Sequence, residues 1–432
     1  MATYRNQLFF ALFALFVLFC RPAALFSQES NGLTILLESC LQKNPELSAT
    51  YHRWKAAESA IIHKTALADP VVNFRQNIEP VQTRTGEQKQ TLTISQMLPF
   101  PGKQKAAIRL NHQLSQNEKL LYEMKLRDLV SEIKKSYAEI WFLQHATETT
   151  EANAKIVEFL AAEATANTSS ASMLPVLRAQ SQLAQSANDQ INYSELLESE
   201  KARLIALTGL QTLDSQWFTM LPQHKIASDE KELIEQALVN RTEIAVAENS
   251  QKIAATKLRL AHFDNKPDFT IGYSKNYTGN RPDLGNMYLK DEGKDSYGFF
   301  VQMNLPVWGS KNRSRTKEAR EKQSEADALL TAEKDKTRVS FIKLWYSMAN
   351  RKRLHQLYSQ TILPQAQTAA DTAQSTFTAD KSKFSDYLEA MTTVYAIKIA
   401  ALRAEADYFI SASELEKWIG TPFEIQSEET LK

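Results

Sequence analysis

Cysteine is nearly absent: the 432-residue chain has two, Cys20 and Cys40. Cys20 falls in an N-terminal apolar run, so Cys40 stands alone in the remainder and no intrachain disulfide framework is available. Glycine and proline are also scarce, at eleven and thirteen. That excludes a turn-rich fold of many short elements and favours long regular ones. No charge sign dominates, because 51 Lys and Arg face 50 Asp and Glu for a formal net charge of +1. A near-neutral balance without a basic block gives no electrostatic footprint for nucleic acid. The seven histidines (His52, His63, His112, His145, His224, His262 and His355) are scattered, with no pair at metal-ligand spacing on one helix. The nine methionines form no thioether pair. Nothing resembles a catalytic constellation, so no enzyme activity, cofactor or metal is expected.

One long apolar run exists, Leu8 to Phe19, twelve residues behind the positive Arg5. Small residues Ala23, Ala24 and Ser27 follow it. This is the pattern of a secretory leader, too short for a membrane span, with cleavage near Ser27 and residues 1–27 removed. Cys20 ends the run where an acylated cysteine would fall, but Phe19 precedes it where a small residue is expected.

The rest is organised around the stretch Thr91 to Lys103, TLTISQMLPFPGK. Leu92, Ile94 and Leu98 fall on one side, with Gln96 as a polar exception; Thr91, Thr93, Ser95 and Met97 fall on the other. Period-two alternation predicts a strand with one apolar face. Pro99, Pro101 and Gly102 then end it, and no proline follows until Pro175. A strand therefore switches abruptly into a helix of about 60 residues, on the order of 90 Å. Leu126, Leu129, Val130, Ile133, Tyr137, Ile140 and Trp141 give that helix a narrow apolar seam. Residues 167–172 break it, and Leu174 to Leu207 returns as a second long helix.

The event recurs. Tyr297, Phe299, Val301, Met303 and Leu305 share one strand face, Phe300 interrupts a small or polar opposite face, and Pro306 and Gly309 form the second switch. Leu41, Glu46, Leu47 and Pro70 match Leu238, Glu243, Ile244 and Pro267 at an offset of 197. Pro99 and Gly102 match Pro306 and Gly309 at 207, and Leu177, Ala179 and Gly209 match Leu388, Ala390 and Gly420 at 211. An offset that grows only in small steps at loops marks a duplication. The expected plan is a first repeat over 28–228, with strands near 71–79 and 91–98 and a helical hairpin over 103–208. The second repeat covers 229–432, with strands near 268–277 and 296–305 and a hairpin over 310–419. Between the first two strands, 79–89 reads as a polar loop too long for a tight turn.

Strands of about ten residues with one apolar and one polar face suit a membrane barrel with a watery lumen. Phe269, Ile271, Tyr273 and Tyr277 are apolar against Thr270, Gly272, Ser274 and Asn276. Four strands cannot close a barrel, and open edges are not tolerated in lipid. Two copies would give eight strands and three would give twelve; a lumen that continues into a helical tube favours three.

With these residues in hand, the chain resembles the outer membrane factor (TolC-like) family over essentially its whole mature length. The likeness rests on the duplicated plan, Asp69-Pro70 before the first strand, Gln96–Lys103 (QMLPFPGK), Val176–Leu183 (VLRAQSQL), and the glycine after Leu207-Thr208. The PFPGK segment looks most like the cation-efflux (CusC/CzcC-like) branch. The resemblance implies a mainly α-helical protein with a membrane β-barrel: a homotrimer whose twelve-stranded barrel sits in outer membrane lipid of a Gram-negative bacterium. A helical tunnel would reach through the periplasm. Such a protein is a passive exit duct for an inner-membrane resistance-nodulation-division pump and a periplasmic adaptor. Metal export, drug export and type I secretion stay open as cargo. From another class, an anchored coiled-coil trimer without a pore would require bulky inward strand faces; Phe300 is the one such residue.

In this plan the functional place is the far tip, where equivalent side chains from three copies would meet. Asp371, Asp380 and Asp386 are the candidates for an anionic gate ring, opened by an iris-like unwinding of the second helix pair. Asn167, Ser170, Lys381 and Lys383 are the candidates for partner contact. Family members often carry glycine at these tips, and this chain has none there. Trp308, Phe100 and Trp217 are candidates for the inner membrane interface or a connector belt.

Overall fold

The computed structural model describes residues 31–166, 173–222, 224–225, 229–281, 290–380, 383–421 and 424–425. In chain order the first half contains α1 (Asn31–Lys43), α2 (Pro45–Thr65), β1 (Val71–Thr83), β2 (Gly86–Leu98), α3 (Lys103–Ala166) and α4 (Leu174–Thr208). A short 3-10 turn (Ser215–Phe218) and β3 (His224–Lys225) lead to α5 (Glu230–Asn240), α6 (Thr242–Phe263), β4 (Phe269–Thr278) and β5 (Ser296–Met303). Then come α7 (Gly309–Leu357), a π turn (Tyr358–Ile362), α8 (Leu363–Ala379), α9 (Phe384–Ile419) and β6 (Glu424–Ile425). Each half thus runs two shorter helices, two strands and a pair of long helices. Among the described residues no helix is long and apolar enough to cross a membrane.

The four long strands form one antiparallel sheet in the order β1-β2-β4-β5, so β1 and β5 are its edges. Register places Val72, Ile94, Tyr273 and Phe299 in one row and Asn73, Thr93, Ser274 and Gly298 in the next. The alternation therefore survives across all four strands: one face is apolar and the other polar. The helices continue the strands as a layer, α3 lying between α2 and α6 and α6 between α3 and α7.

Two expectations require correction. The 79–89 segment is not a long loop. β1 and β2 pair out to Thr83 and Gly86, leaving a tight turn at Arg84-Thr85. Pro80 is accommodated because the register slips between Gln76 and Val81, and Asn77 Nδ2 donates to Gln88 O at 2.8 Å in place of a ladder bond. Gly86 holds φ +139°, where a Cβ would lie 1.8 Å from Gly279 O, so the turn requires glycine. Nor is the rod from 310 to the second tip one helix. It changes to a π turn at Tyr358–Ile362, two residues before Pro364, whose missing N–H the wider turn accommodates.

Two cores lie along the helices, the first drawing Ala406 and Phe409 of α9 into the helices of the first half. In the first, α1 lays Leu33, Leu36 and Cys40 against Leu129, Ile133 and Ile140 of α3 and Leu204 of α4. In the second, α5 lays Leu233 and Ala237 against Phe341 and Met348 of α7 and Leu415 and Ile419 of α9. Most of the seam expected on α3 is this contact: Leu129, Ile133, Tyr137, Ile140 and Trp141 are buried and Leu126 is partly buried, while Val130 lies outside the cluster. Asn44 fixes the kink between α1 and α2. Its Oδ1 accepts from Leu47 N at 2.9 Å and its Nδ2 donates to Leu207 O at 2.8 Å. Gly209 and Gly420, paired by the sequence offset, both end long helices in the left-handed conformation.

Candidate functional site

The polar sheet face carries a hydrogen-bonded row. Thr91 Oγ1 donates to Asn276 Oδ1 at 2.8 Å, Asn276 Nδ2 donates to Ser296 Oγ at 3.2 Å, and the Thr93 and Ser274 hydroxyls lie 3.3 Å apart. Phe300, the bulky exception on this face, does not stand out from it. Its ring lies over the cross-strand Gly272, where a Cβ would meet Phe300 Cζ at 2.3 Å. Glycine lets the ring fold onto the sheet and keeps the polar face open. The other face is bare in one chain: Phe299 is 85% exposed and Val301 71%. Tyr273 packs across to Phe299, with ring centroids 5.3 Å apart.

The strand-to-helix switches are pinned by a contact the sequence did not announce. Lys103 Nζ reaches Asp268 Oδ2 at 2.9 Å and Asp264 Oδ1 at 3.1 Å, while Phe100 N donates to Asp268 Oδ1 at 2.8 Å. Asp268 N donates to Asn304 Oδ1 at 2.5 Å. The first switch is thereby tied to the start of β4 and, through it, to the second switch. Burial works against the Asp268 charge, but the Lys103 ammonium and the Phe100 N–H hold its carboxyl below the usual range. Phe100 packs on Phe263, with ring centroids 6.3 Å apart. Trp308 is exposed at the end of the strands. Trp217 lies elsewhere, in the mid-length belt: the Tyr137 hydroxyl donates to Trp217 O at 2.7 Å and the ring packs against the first core.

At the far end, α3, α4, α8 and α9 meet around Leu160, Ala179, Phe377, Phe384, Tyr387 and Leu388. Phe377 ends the descending helix and Phe384 begins the ascending one; their centroids are 5.9 Å apart, and Phe377 stacks on Tyr387 at 5.5 Å. This aromatic clasp closes the turn that carries Asp380. Of the candidate gate residues, Asp371 is exposed on α8, close enough to Tyr387 that its charge adds to burial in raising the phenol pKa. Asp380 caps α8, its N–H donating to Thr376 O at 2.8 Å. Asp386 is exposed on the first turn of α9, with Lys383 Nζ 3.9 Å away. One chain does not bring the three together. Of the candidate partner residues, Lys383 is exposed at the tip, while Asn167, Ser170 and Lys381 lie outside the described residues, as do Cys20 and the leader.

Further back, a polar node joins the two helix pairs. The Tyr395 hydroxyl on α9 lies 3.0 Å from Thr150 Oγ1 on α3 and donates to Asp189 Oδ2 on α4 at 3.3 Å. Burial, reinforced by the Asp189 carboxylate, pushes the phenol up to about 12, so it remains a neutral donor. The tyrosine sits mid-helix without local signature, so sequence reasoning missed it. Among the described residues no cluster of three His, Cys, Asp or Glu could hold a metal ion.

The chain thus combines a two-faced, open-edged sheet with paired helices that run on from it, the longest of 64 residues. A profile of the outer membrane efflux protein family matches residues 36–210 and 233–421, and the chain belongs to that family, one of channel proteins. No curated protein matches it. Among solved structures it is similar to the outer membrane protein VceC of Vibrio cholerae, with a TM-score of 0.66 at 19% identity over 94% of this chain and 100% of that one. It is also similar to CusC, with 0.71 at 17% over 93% and 95%, and to the open state of the Neisseria gonorrhoeae MtrE channel, with 0.72 at 15% over 90% and 89%. At these identities the likeness is one of fold, and it does not single out CusC.

Proposed function

We propose that three copies close a twelve-stranded barrel in the outer membrane of a Gram-negative bacterium. Their long helices form a periplasmic tunnel, and the protein is the passive exit duct of a tripartite efflux system. The observation that supports this reading best is the sheet: four strands with an exposed apolar face, a hydrogen-bonded polar face and two unpaired edges. Unpaired edges are not tolerated in lipid, so further copies must complete the wall. A pore-free coiled-coil trimer is disfavoured because Phe300 folds onto Gly272. The pump selects the cargo, and heavy-metal cations fit the PFPGK resemblance.

In this reading residues 1–27 are a removed leader, and each repeat contributes two strands and one coil pair. Asp371, Asp380 and Asp386 ring the tip, and Asn167, Ser170, Lys381 and Lys383 meet the adaptor. Opening swings α8 and α9 outward and parts the Tyr395 node. The test is mass by light scattering followed by insertion into a planar bilayer. A trimer with cation-preferring openings, and higher conductance in Asp371→Asn or Asp380→Asn, is expected. A monomer, or a trimer that never conducts even after tip substitution, would overturn the duct. Unchanged conductance and selectivity in all three aspartate variants would overturn the gate alone.

A further inference from the structure

The charge of this chain is balanced overall but not where the strands meet the helices. The four segments at that junction, 60–70, 99–117, 260–269 and 304–317, hold nine Lys and Arg against three carboxylates. Two of those carboxylates, Asp264 and Asp268, are already engaged by Lys103. The opposite end of the sheet is nearly balanced: among the described residues in 77–90, 275–281 and 290–296, there are six cations and five carboxylates. Both long helices that leave the sheet begin with cations alone. No Asp or Glu occurs from Lys103 to Asn117 or from Gly309 to Lys317. Helix N-termini carry positive dipole ends and prefer acids, as α2, α5, α6 and α9 have; α1, α4 and α8 lack acids there but carry no cations either. Helix stability therefore does not account for the arrangement, and it occurs in both halves.

The cations are displayed. Lys105, Arg109, Lys311 and Lys317 are exposed and form no ion pair among the described residues. Arg313 is exposed too, and its Nε donates to Gly309 O. Directly beside them, the apolar face of the sheet continues past the strand end through Leu305 and Val307 to Trp308, which is 71% exposed. An apolar band ending in a tryptophan, followed at once by cations, is the order of groups met on passing from acyl chains to lipid phosphates.

We propose that this junction is a collar that binds anionic phospholipid head groups of the periplasmic leaflet, with Trp308 at the acyl boundary and the basic starts of α3 and α7 on the phosphates. The proposal rests on the membrane placement given above. The collar holds the barrel at a set depth, so that the switches at Pro99 and Pro306 lie at the bilayer surface.

The test titrates the intact purified protein in detergent with phosphatidylglycerol or phosphatidylcholine and counts bound lipids by native mass spectrometry. The wild type is expected to retain phosphatidylglycerol about tenfold better at low salt, from a few phosphate contacts per chain. A Lys105→Gln, Arg109→Gln, Arg313→Gln, Lys317→Gln variant should bind both lipids alike, with unchanged oligomer mass and conductance. Trp308→Ala should weaken both lipids equally, leaving the charge preference. Equal retention of the two lipids by the wild type would overturn the collar. So would a quadruple variant that keeps its lipid preference but changes ion selectivity, since the cations would then face the lumen. Failure of the wild type to insert into bilayers would instead remove the membrane reading beneath it.

Discussion

Removing the Asp268 carboxylate should unpin both strand-to-helix switches at once. The group accepts from Lys103 Nζ at 2.9 Å and from Phe100 N at 2.8 Å, and the side chains of Asp268 and Lys103 are 15% and 25% exposed. Asp268→Ala leaves an amide and an ammonium short of a partner; hydrogen bonds to charged groups contribute about 1.5–3 kcal/mol when partly buried. A chain of this length loses on the order of 1 °C in midpoint per kcal/mol, so the expected drop is about 2–4 °C. Asp268→Asn keeps an acceptor for Phe100 N and should lose about half as much. Lys103→Met isolates the ion pair, and the double-mutant cycle should give a coupling of about 1 kcal/mol. The assay is loss of the 222 nm signal on heating in detergent, at several pH values. Because the folded-state pKa of Asp268 is depressed, its contribution is present above the unfolded value and lost as pH falls through the folded one. The wild-type and Asp268→Ala midpoints should therefore converge in acid. A cycle with no coupling, or a difference that does not shrink in acid, would refute the assignment.

Glu405 gives the opposite sign. Burial raises its carboxyl pKa, partly offset by His355 and His145, so its protonated form is favoured in the fold and stability falls as pH rises through the folded value. Glu405→Gln should raise the midpoint at neutral pH and leave it unchanged below the unfolded carboxylate range. Gly86→Ala places a Cβ 1.8 Å from Gly279 O at φ +139°. It should cost about 3 kcal/mol or more and slow recovery of the heat-resistant folded form, as read by gel mobility.

Periodicity carried most of the fold. Alternation over Tyr297–Leu305 predicted both the strand and its exposed apolar face, and the offset of 211 paired Gly209 with Gly420, both of which end long helices. Features that depend on local exceptions were not readable. Pro80 looked like the end of a strand because proline cannot pair, yet a register slip carries β1 three residues past it. Phe300 read as the one bulky residue on the polar face because its pairing with Gly272 leaves no trace in the sequence. Pairings between distant residues, such as Lys103 with Asp268 or Lys134 with Glu416, leave no periodic trace. The tip aspartates were legible only as acidic residues near a turn, because a single chain's sequence holds nothing that sets one of them against another.

The π turn at Tyr358–Ile362 makes the two halves mechanically unequal. The first descends from the sheet as a single uninterrupted rod of 64 residues. The second descends as two rods meeting at a wide turn with a proline just beyond it. A stiff rod carries displacement from end to end, whereas a jointed one absorbs it. Load applied at the second tip should therefore be spent at the joint, and the sheet need not feel it. Among the described residues, one half of a duplicated chain thus carries a joint in its descending helix that the other half lacks.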